Sequence, residues 1–136
     1  MTTASPTHQS RDMRQTIRLF LLLEGASFVV AGLVHAGVLV DGYAHRQASI
    51  AESAIGVVLL AALGLTWGWP ARTRPIGLAA QGFALLGTLV GVFTIAIGVG
   101  PRTVPDIAYH VAILAALAWG LVVAARTRAG AASASA

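Results

Sequence analysis

At 136 residues the chain is long enough for one domain, and its composition excludes an ordinary soluble protein, because 57% of the residues are hydrophobic, only 10% are charged and the mean hydropathy is +0.78. The formal net charge of +4 comes from arginines that flank apolar segments, which favours a role in membrane orientation over nucleic-acid binding. The sequence has no cysteine, which excludes disulfides, thiolate metal sites and iron–sulfur clusters.

Four long apolar segments follow one another along the chain. Each approaches or exceeds the roughly 20 residues that an α-helix needs to cross a hydrocarbon core, and none shows the alternation of a transmembrane β-strand. We therefore predict an all-α membrane protein, a bundle of four transmembrane helices in a domain at 10–126. The predicted helices are about 10–40, 50–69, 75–100 and 104–126. Two low-complexity segments flank them and are predicted to be a disordered N-terminal tail, 1–9, and a flexible C-terminal tail, 127–136.

The arginines predict the orientation of the bundle. Threading four helices through a membrane puts seven arginines on one side and two on the other. The seven are Arg11, Arg14, Arg18, Arg72, Arg74, Arg126 and Arg128, and the two are Arg46 and Arg102. Arginine-rich loops stay in the cytoplasm. Both termini are therefore predicted to be cytoplasmic (N-in/C-in), in a bacterial-type plasma (inner) membrane.

Predicted helix one carries two ionisable residues at different depths. Glu24 and His35 are eleven residues apart, which returns to nearly the same direction around a helix and advances about 16 Å along it. Glu24 is too deep to cap the helix, and Gln81 lies at a similar depth in helix three, so we predict a hydrogen bond between them. Glu24 is then either a buried structural carboxyl or the proton-coupling group of a transporter. In length and in this glutamate the chain resembles the small multidrug-resistance transporters, from which no functional residue is carried over.

Helices two and four open with the same spacing. Ser49 and Glu52, like Thr103 and Asp106, stand three residues apart, which is typical of a capping box. Each acid therefore has an ordinary capping role, and each still has oxygen atoms to offer a neighbouring site. The polar loop before helix two, 41–47, is predicted to be solvated.

Two pairs of glycines have the GxxxG spacing that lets membrane helices approach closely. They are Gly64 and Gly68 in helix two, and Gly87 and Gly91 in helix three. The spacing favours packing within the bundle, with a homodimer interface as the alternative.

The same threading brings two histidines and two acids to the outer half of the membrane. These residues are His35, Glu52, Asp106 and His110. Ionisable groups in hydrocarbon are costly and usually mark function. Two imidazoles with one or two carboxylates match a site for a divalent metal such as Fe, Zn or Mn. Two further interpretations are a haem held by His35 and His110, and neutral imidazoles that only form hydrogen bonds.

The leading functional hypothesis is a membrane protein that binds a divalent metal at this outer layer and acts, as an oxidoreductase or a hydrolase, on a lipid-soluble substrate. One alternative is a small proton-coupled transporter that uses Glu24, with Gln81 beside it. Another is a structural or assembly subunit without chemistry. The expected partners are membrane lipid and a second copy of the chain, and no nucleic acid.

Overall fold

The structure is a computed structural model that describes residues 6–126, with side chains described for residues 11–126. This part of the chain contains four α-helices, and each is long and apolar enough to cross a membrane. The helices are α1 (Pro6–His35), α2 (Arg46–Gly68), α3 (Thr73–Ala96) and α4 (Val104–Arg126), and a short 3₁₀ turn, Pro70–Arg72, joins α2 to α3. The predicted all-α, four-helix architecture is confirmed.

Helix α1 differs from its prediction at both ends. It begins at Pro6, so residues 6–9 are helical instead of part of a tail, and residues 1–5 and the predicted C-terminal tail, 127–136, lie outside the described residues. It ends at His35 instead of near residue 40, because Gly37 adopts a left-handed conformation with φ of 73°. The Gly37 N–H donates to the Val34 carbonyl at 3.0 Å and the Val38 N–H to the Leu33 carbonyl at 3.1 Å. These two bonds form a Schellman motif, which stops the helix.

Helix α3 stops by the same device. Gly98 has φ of 86°, its N–H donates to Ile95, and the next N–H, of Val99, donates to the Thr94 carbonyl at 2.9 Å. The helix therefore ends at Ala96 instead of near residue 100. The two helical hairpins, α1–α2 and α3–α4, thus leave their first helix in the same way.

Helix α2 begins at Arg46, four residues earlier than predicted, because His45 is its N-cap. The His45 Nδ1 atom accepts a hydrogen bond from the Ala48 N–H at 3.3 Å. The predicted capping box of Ser49 and Glu52 is wrong, since the Ser49 hydroxyl donates instead to the Gly32 carbonyl on α1 at 2.9 Å. Glu52 is thereby free for a different contact.

The core of the bundle runs as a column of layers along its axis. Every helix contributes at least one residue with 0% exposure to the apolar cluster, and these are Leu21, Leu59, Ala84, Leu117 and Ala124. In a membrane, an apolar side chain is as well solvated by lipid as by the core of the bundle, so hydrophobicity alone does not determine which helix face turns inward. Close packing between helices determines it.

Glycines bring the helices together at specific points. A Cβ atom on Gly56 of α2 would lie 3.1 Å from the Val29 amide nitrogen and 3.2 Å from the Gly25 carbonyl oxygen, so α1 and α2 pack almost backbone to backbone there. Gly87 meets Ile55, and Gly91 meets His110. These two glycines therefore have neighbours within the bundle, as the packing interpretation predicts.

The bundle has two distinct ends. We call the end that carries residues 36–45 and 97–103 the loop end, and the opposite end, with the α2–α3 turn, the termini end. At the termini end the Arg18 guanidinium donates to the hydroxyl and carbonyl oxygens of Thr66, and Arg74 donates to the carbonyls of Ala124 and Ala125. Arg18 and Arg74 therefore tie helices together as well as adding positive charge.

Candidate functional site

The loop end holds a buried histidine between two carboxylates. The His35 Nδ1 atom lies 2.7 Å from Glu52 Oε2, and its Nε2 atom lies 3.1 Å from Asp106 Oδ1. The exposed fractions of His35, Glu52 and Asp106 are 3%, 5% and 4%. Helices α1, α2 and α4 thus each contribute one residue to what we call the His35 cluster, formed by His35, Glu52 and Asp106.

The three groups of the cluster share their protons. A carboxylate oxygen cannot donate, so at least one of the two contacts is a donation from a ring N–H of His35. The other contact is either a second N–H donation from an imidazolium or a donation from a protonated carboxyl group to the ring. In every one of these states His35 is bonded on both sides, and a proton gained on one side can be matched by one released on the other.

Asp106 is held by its own helix as well as by His35. Its Oδ2 atom accepts hydrogen bonds from the Thr103 backbone N–H at 3.1 Å and from the Thr103 hydroxyl at 2.5 Å, and its N–H donates to the Thr103 hydroxyl at 3.4 Å. The predicted capping box at the start of α4 is therefore present. The Tyr43 hydroxyl contacts both Thr103 Oγ1 and, at 3.4 Å, Asp106 Oδ2. Asp106 thus caps α4 with one oxygen and contacts His35 with the other.

His110 lies apart from the shared contacts of the cluster. Its Nδ1 atom donates to the Asp106 backbone carbonyl at 2.8 Å, one turn back along α4. Its Nε2 atom faces Gly91 of α3, where a Cβ atom would lie 3.2 Å away. Of the four side chains expected in one layer, two therefore contact His35 and the fourth, His110, is turned towards α3.

The cluster does not have the arrangement of a metal centre. Within the part of the chain that the structure describes, no group of three His, Asp or Glu side chains is placed to hold a metal ion. The reason is that Glu52 and Asp106 lie at opposite nitrogens of one ring, so the three side chains have no common point. For the same reason neither nitrogen of His35 is free for a haem iron.

An apolar cavity of about 690 Å³ ends at the His35 cluster. It lies between α1 and α4, and we call it the α1–α4 cavity. Its walls are mainly Leu23, Val30, Val34 and Tyr109, and its polar end is formed by Tyr43, His35 and Asp106. Leu23 and Val30 are 60% and 53% exposed, so the cavity opens on the outer surface of the bundle.

A second cavity, of about 270 Å³, lies on the other side of the cluster. It is lined mainly by α2, α3 and α4, with Phe28 of α1, and it reaches the connection at 97–103. We call it the loop-end cavity. Glu52 and His110 both line it, together with Thr88 and Thr94 of α3. The Glu52 Oε1 atom is buried and has no hydrogen-bond partner. The His35 cluster therefore stands between two cavities, with Asp106 in the wall of one and Glu52 in the wall of the other.

Glu24 and Gln81 form a separate buried pair closer to the termini end. The Gln81 Nε2 atom lies 3.2 Å and 3.1 Å from the two carboxyl oxygens of Glu24, so the predicted hydrogen bond is present. Gly120 of α4 faces the pair and leaves no room for a Cβ atom beside Gln81. Neither residue lines the two cavities described above. This geometry is that of a contact which fixes the register of α1, α3 and α4.

Sequence reasoning missed three residues near the cluster. His45 and Tyr43 lie in a loop that was predicted to be solvated, and the short distance along the chain from His35 was the only signal that they return to it. The third is Tyr109. A tyrosine at this position does not by itself indicate a site, but Tyr109 follows Asp106 by three residues and therefore shares its helix face. The Ser27 hydroxyl contacts the Tyr109 hydroxyl at 3.2 Å, which links α1 to α4 beside the cavity.

The fold and the apolar helices define a multi-pass α-helical membrane protein. In comparisons with protein-family models, curated proteins and solved structures, nothing matches the chain. Its function is therefore argued from the site alone.

Proposed function

We propose that this protein binds a lipid-soluble molecule in the α1–α4 cavity, with the polar group of that molecule at the His35 cluster. The observation that carries the proposal is an apolar cavity of about 690 Å³ that opens on the surface of the bundle and ends at a buried histidine and carboxylate. This volume falls within the roughly 300–1,000 Å³ of small-molecule sites, and apolar walls with a few convergent polar groups are typical of them.

The chemistry of the polar end selects the ligand class. Asp106 offers acceptor oxygens, the Tyr43 hydroxyl can donate or accept, and His35 can gain or release a proton against Glu52. A hydroxyl or carbonyl group on an apolar body fits these partners, and a wholly apolar molecule would leave them unused. Proton exchange between a bound head group and Glu52, through His35, is the chemistry that this arrangement supports.

The proposal includes an orientation. Among the eight arginines of residues 11–126, six lie at the termini end and two near the loop end. On the positive-inside rule this places the termini end in the cytoplasm and the His35 cluster in the outer half of a bacterial-type inner membrane. A lipid-soluble ligand would then enter sideways from the outer leaflet.

The proposal can be tested with a photoactivatable probe. Membranes that contain the protein are loaded with a diazirine-bearing hexadecanol, irradiated, and the labelled peptides mapped by mass spectrometry. Labelling should concentrate on the facing segments of α1 and α4 near Val30 and Tyr109. Ala31→Trp, which fills the cavity, should reduce it several-fold, whereas Ala79→Trp on the exposed surface of α3 should leave it unchanged.

Two results would count against this function. One is labelling spread evenly over the lipid-facing surfaces of all four helices. The other is equal labelling in the Ala31→Trp and Ala79→Trp variants, because a cavity that can be filled without effect does not bind the probe. A diazirine-bearing hexadecane serves as a further comparison, and it should label the cavity more weakly because it lacks the hydroxyl group.

A divalent metal, Fe, Zn or Mn, is the second candidate occupant of the cluster, supported by the residue types that three helices bring there, one histidine and two carboxyl groups. Binding it would require His35 to give up one carboxylate contact and rotate. Elemental analysis of protein purified without a metal-binding tag tests this. A near-stoichiometric metal that is lost in His35→Ala and kept in Glu24→Gln would support a metal site at the His35 cluster.

A homodimer is a further proposal, supported by two glycines of α2. A Cβ atom on Gly64 or Gly68 would meet nothing within 4 Å, so this GxxxG pair lies on the surface of the bundle, where a second copy could pack. The mass of the detergent-solubilised protein, compared with that of Gly64→Leu, tests it. A monomer in both samples would exclude this interface.

A further inference from the structure

We propose that the loop-end cavity is a binding site for a small organic ammonium ion, with Glu52 as its anionic partner. This site is distinct from the α1–α4 cavity, and its existence does not depend on the lipid-binding function proposed above. Three features of the cavity support this assignment, namely an unpartnered buried oxygen, the acceptor oxygens in its wall, and its size.

The first observation is the Glu52 carboxyl group. One oxygen, Oε2, contacts His35, while Oε1 is buried without a partner on a residue that is 5% exposed. A buried polar atom without a hydrogen bond destabilises the fold, and more so if it is charged. Because Glu52 lines the loop-end cavity, a molecule in that cavity is the natural source of the missing partner.

The second observation is that Thr88 and Thr94, like Glu52 Oε1, offer acceptor oxygens to the cavity. His110 donates its Nδ1–H to the Asp106 carbonyl, so that hydrogen is not available to a ligand. The hydroxyl hydrogens of Thr88 and Thr94 are used on the carbonyls of Ala84 and Gly91, which leaves their oxygen lone pairs. These oxygens of Glu52, Thr88 and Thr94 match a ligand that supplies donors, and an ammonium group supplies up to three together with a positive charge. His45 and Gln47, which also line the cavity, carry donors of their own.

The third observation concerns charge and size. Two acids, Glu52 and Asp106, share a single histidine, so the cluster holds more carboxyl groups than imidazoles. The cavity, at about 270 Å³, is several times larger than the roughly 30 Å³ of one water molecule. It also reaches the rim formed by His45 and Gln47, at the first turn of α2, which provides a route from the aqueous face at the loop end. These features favour an organic cation that carries a short apolar chain.

Isothermal titration of the full-length protein in nanodiscs tests the proposal with propylammonium as the probe. Propan-1-ol, which has nearly the same size and no charge, is the matched control on the unmodified protein. Propylammonium should bind at least about tenfold more tightly, since a hydrogen bond to a charged group contributes roughly 1.5–3 kcal/mol. Equal binding of the two compounds would overturn the proposal, because the carboxylate would then have no part in recognition.

Two variants locate the site. Glu52→Gln keeps an acceptor for His35 but places a neutral donor group in the cavity, and it should weaken propylammonium binding at least about tenfold. Glu24→Gln removes a buried carboxyl group that lines neither cavity, and it should leave the affinity unchanged. Thr88→Val, which removes one acceptor at nearly constant size, should weaken binding by a smaller factor and covers the case in which Glu52→Gln does not fold.

Two further results would each overturn the ammonium assignment. If Zn²⁺ binds in a manner that depends on Glu52 and His110 while propylammonium does not bind, the cavity is a metal site. If neither binds, the free oxygen of Glu52 is satisfied by water alone. Neither result bears on photolabelling of the α1–α4 cavity, so the two proposals can fail separately.

Discussion

His35 is the residue on which the loop end of the bundle depends most. It donates to or accepts from two buried carboxyl groups on two other helices, whereas His110, only a few residues from the same end, makes one contact with a backbone carbonyl of its own helix. We therefore expect the two histidines to contribute differently to the free energy of unfolding. The difference can be measured by making the same substitution at both positions.

We predict that His35→Leu lowers the free energy of unfolding by about 3–5 kcal/mol, because it leaves two buried carboxyl groups without their partner. His110→Leu should lower it by only about 0.5–1.5 kcal/mol, the usual net value of one hydrogen bond. Unfolding curves in a mixed-detergent titration give both values. Equal losses in the two variants would show that the His35 contacts contribute little to stability.

Glu24 and Gln81 can be examined by a double-mutant cycle. Gln81 donates to both oxygens of Glu24, and both residues are buried, so Glu24→Leu leaves the Gln81 amide unpaired. That single change should lower the free energy of unfolding by about 1–3 kcal/mol.

The double variant, Glu24→Leu with Gln81→Leu, should recover most of this loss, since an apolar pair has no unpaired polar group to bury. The same detergent titration measures it. If the double variant loses more free energy of unfolding than the two single variants lose together, steric conflict with Gly120 is the cause instead of hydrogen bonding. If Glu24 is instead the coupling group of a transporter, Glu24→Gln would abolish proton-driven flux in proteoliposomes.

At the scale of the helices, sequence reasoning identified the elements well and their ends less well. The four apolar segments were long enough to be unambiguous, and the capping box of α4 was present where Thr103 and Asp106 predicted it. The ends of α1 and α3 were placed too late because the apolar residues after Gly37 and Gly98 prolong the hydrophobic segment past the glycine that stops the helix. In a membrane protein, hydrophobic length and helix length are separate quantities.

The start of α2 shows a different limit. Ser49 and Glu52 have the capping spacing, but both are used across the bundle, Ser49 on α1 and Glu52 on His35. A histidine takes the cap instead. No local pattern could have given this result, because it depends on which helices are neighbours. The same holds for the His35 cluster, whose members are separated by up to 71 positions in the chain.

The close contact between α1 and α2 at Gly56 can be tested by adding a single methyl group there. Gly56→Ala would place a methyl group about 3 Å from the backbone of α1, which cannot yield as a flexible side chain can. We expect the free energy of unfolding to fall by about 1–3 kcal/mol. Gly64→Ala, two turns further along the same helix and facing open space, should change it little. Comparable losses in the two variants would mean that α1 and α2 do not meet at Gly56.

At the scale of the whole molecule, the fold places a cluster of ionisable groups between a cavity that opens on the side of the bundle and a cavity that reaches its loop end. Composition and periodicity could predict that polar residues of three helices gather at this end, because the helices are antiparallel neighbours of similar length. They could not predict the cavities, which depend on how closely α1 approaches α2 and how loosely it meets α4. The shape of the site is therefore a property of the packing, and its residue types are a property of the sequence.

The orientation of the molecule decides which solution each cavity meets, and the absence of cysteine makes it directly measurable. Asp41→Cys introduces a single exposed thiol in the α1–α2 connection, and Ala71→Cys introduces one in the α2–α3 turn at the opposite end. Because six of the described arginines lie at the termini end and two near the loop end, the positive-inside rule predicts that a membrane-impermeant maleimide added to intact cells labels the first variant and not the second. After permeabilisation both should react.

The reverse pattern would put the His35 cluster in the cytoplasmic half of the membrane, so that a lipid-soluble ligand would enter from the inner leaflet and an ammonium ion from the cytoplasm. Labelling of both variants in intact cells would mean that the chain inserts in two orientations. The loop end, with its cavity, would then face the outside in some copies and the cytoplasm in others.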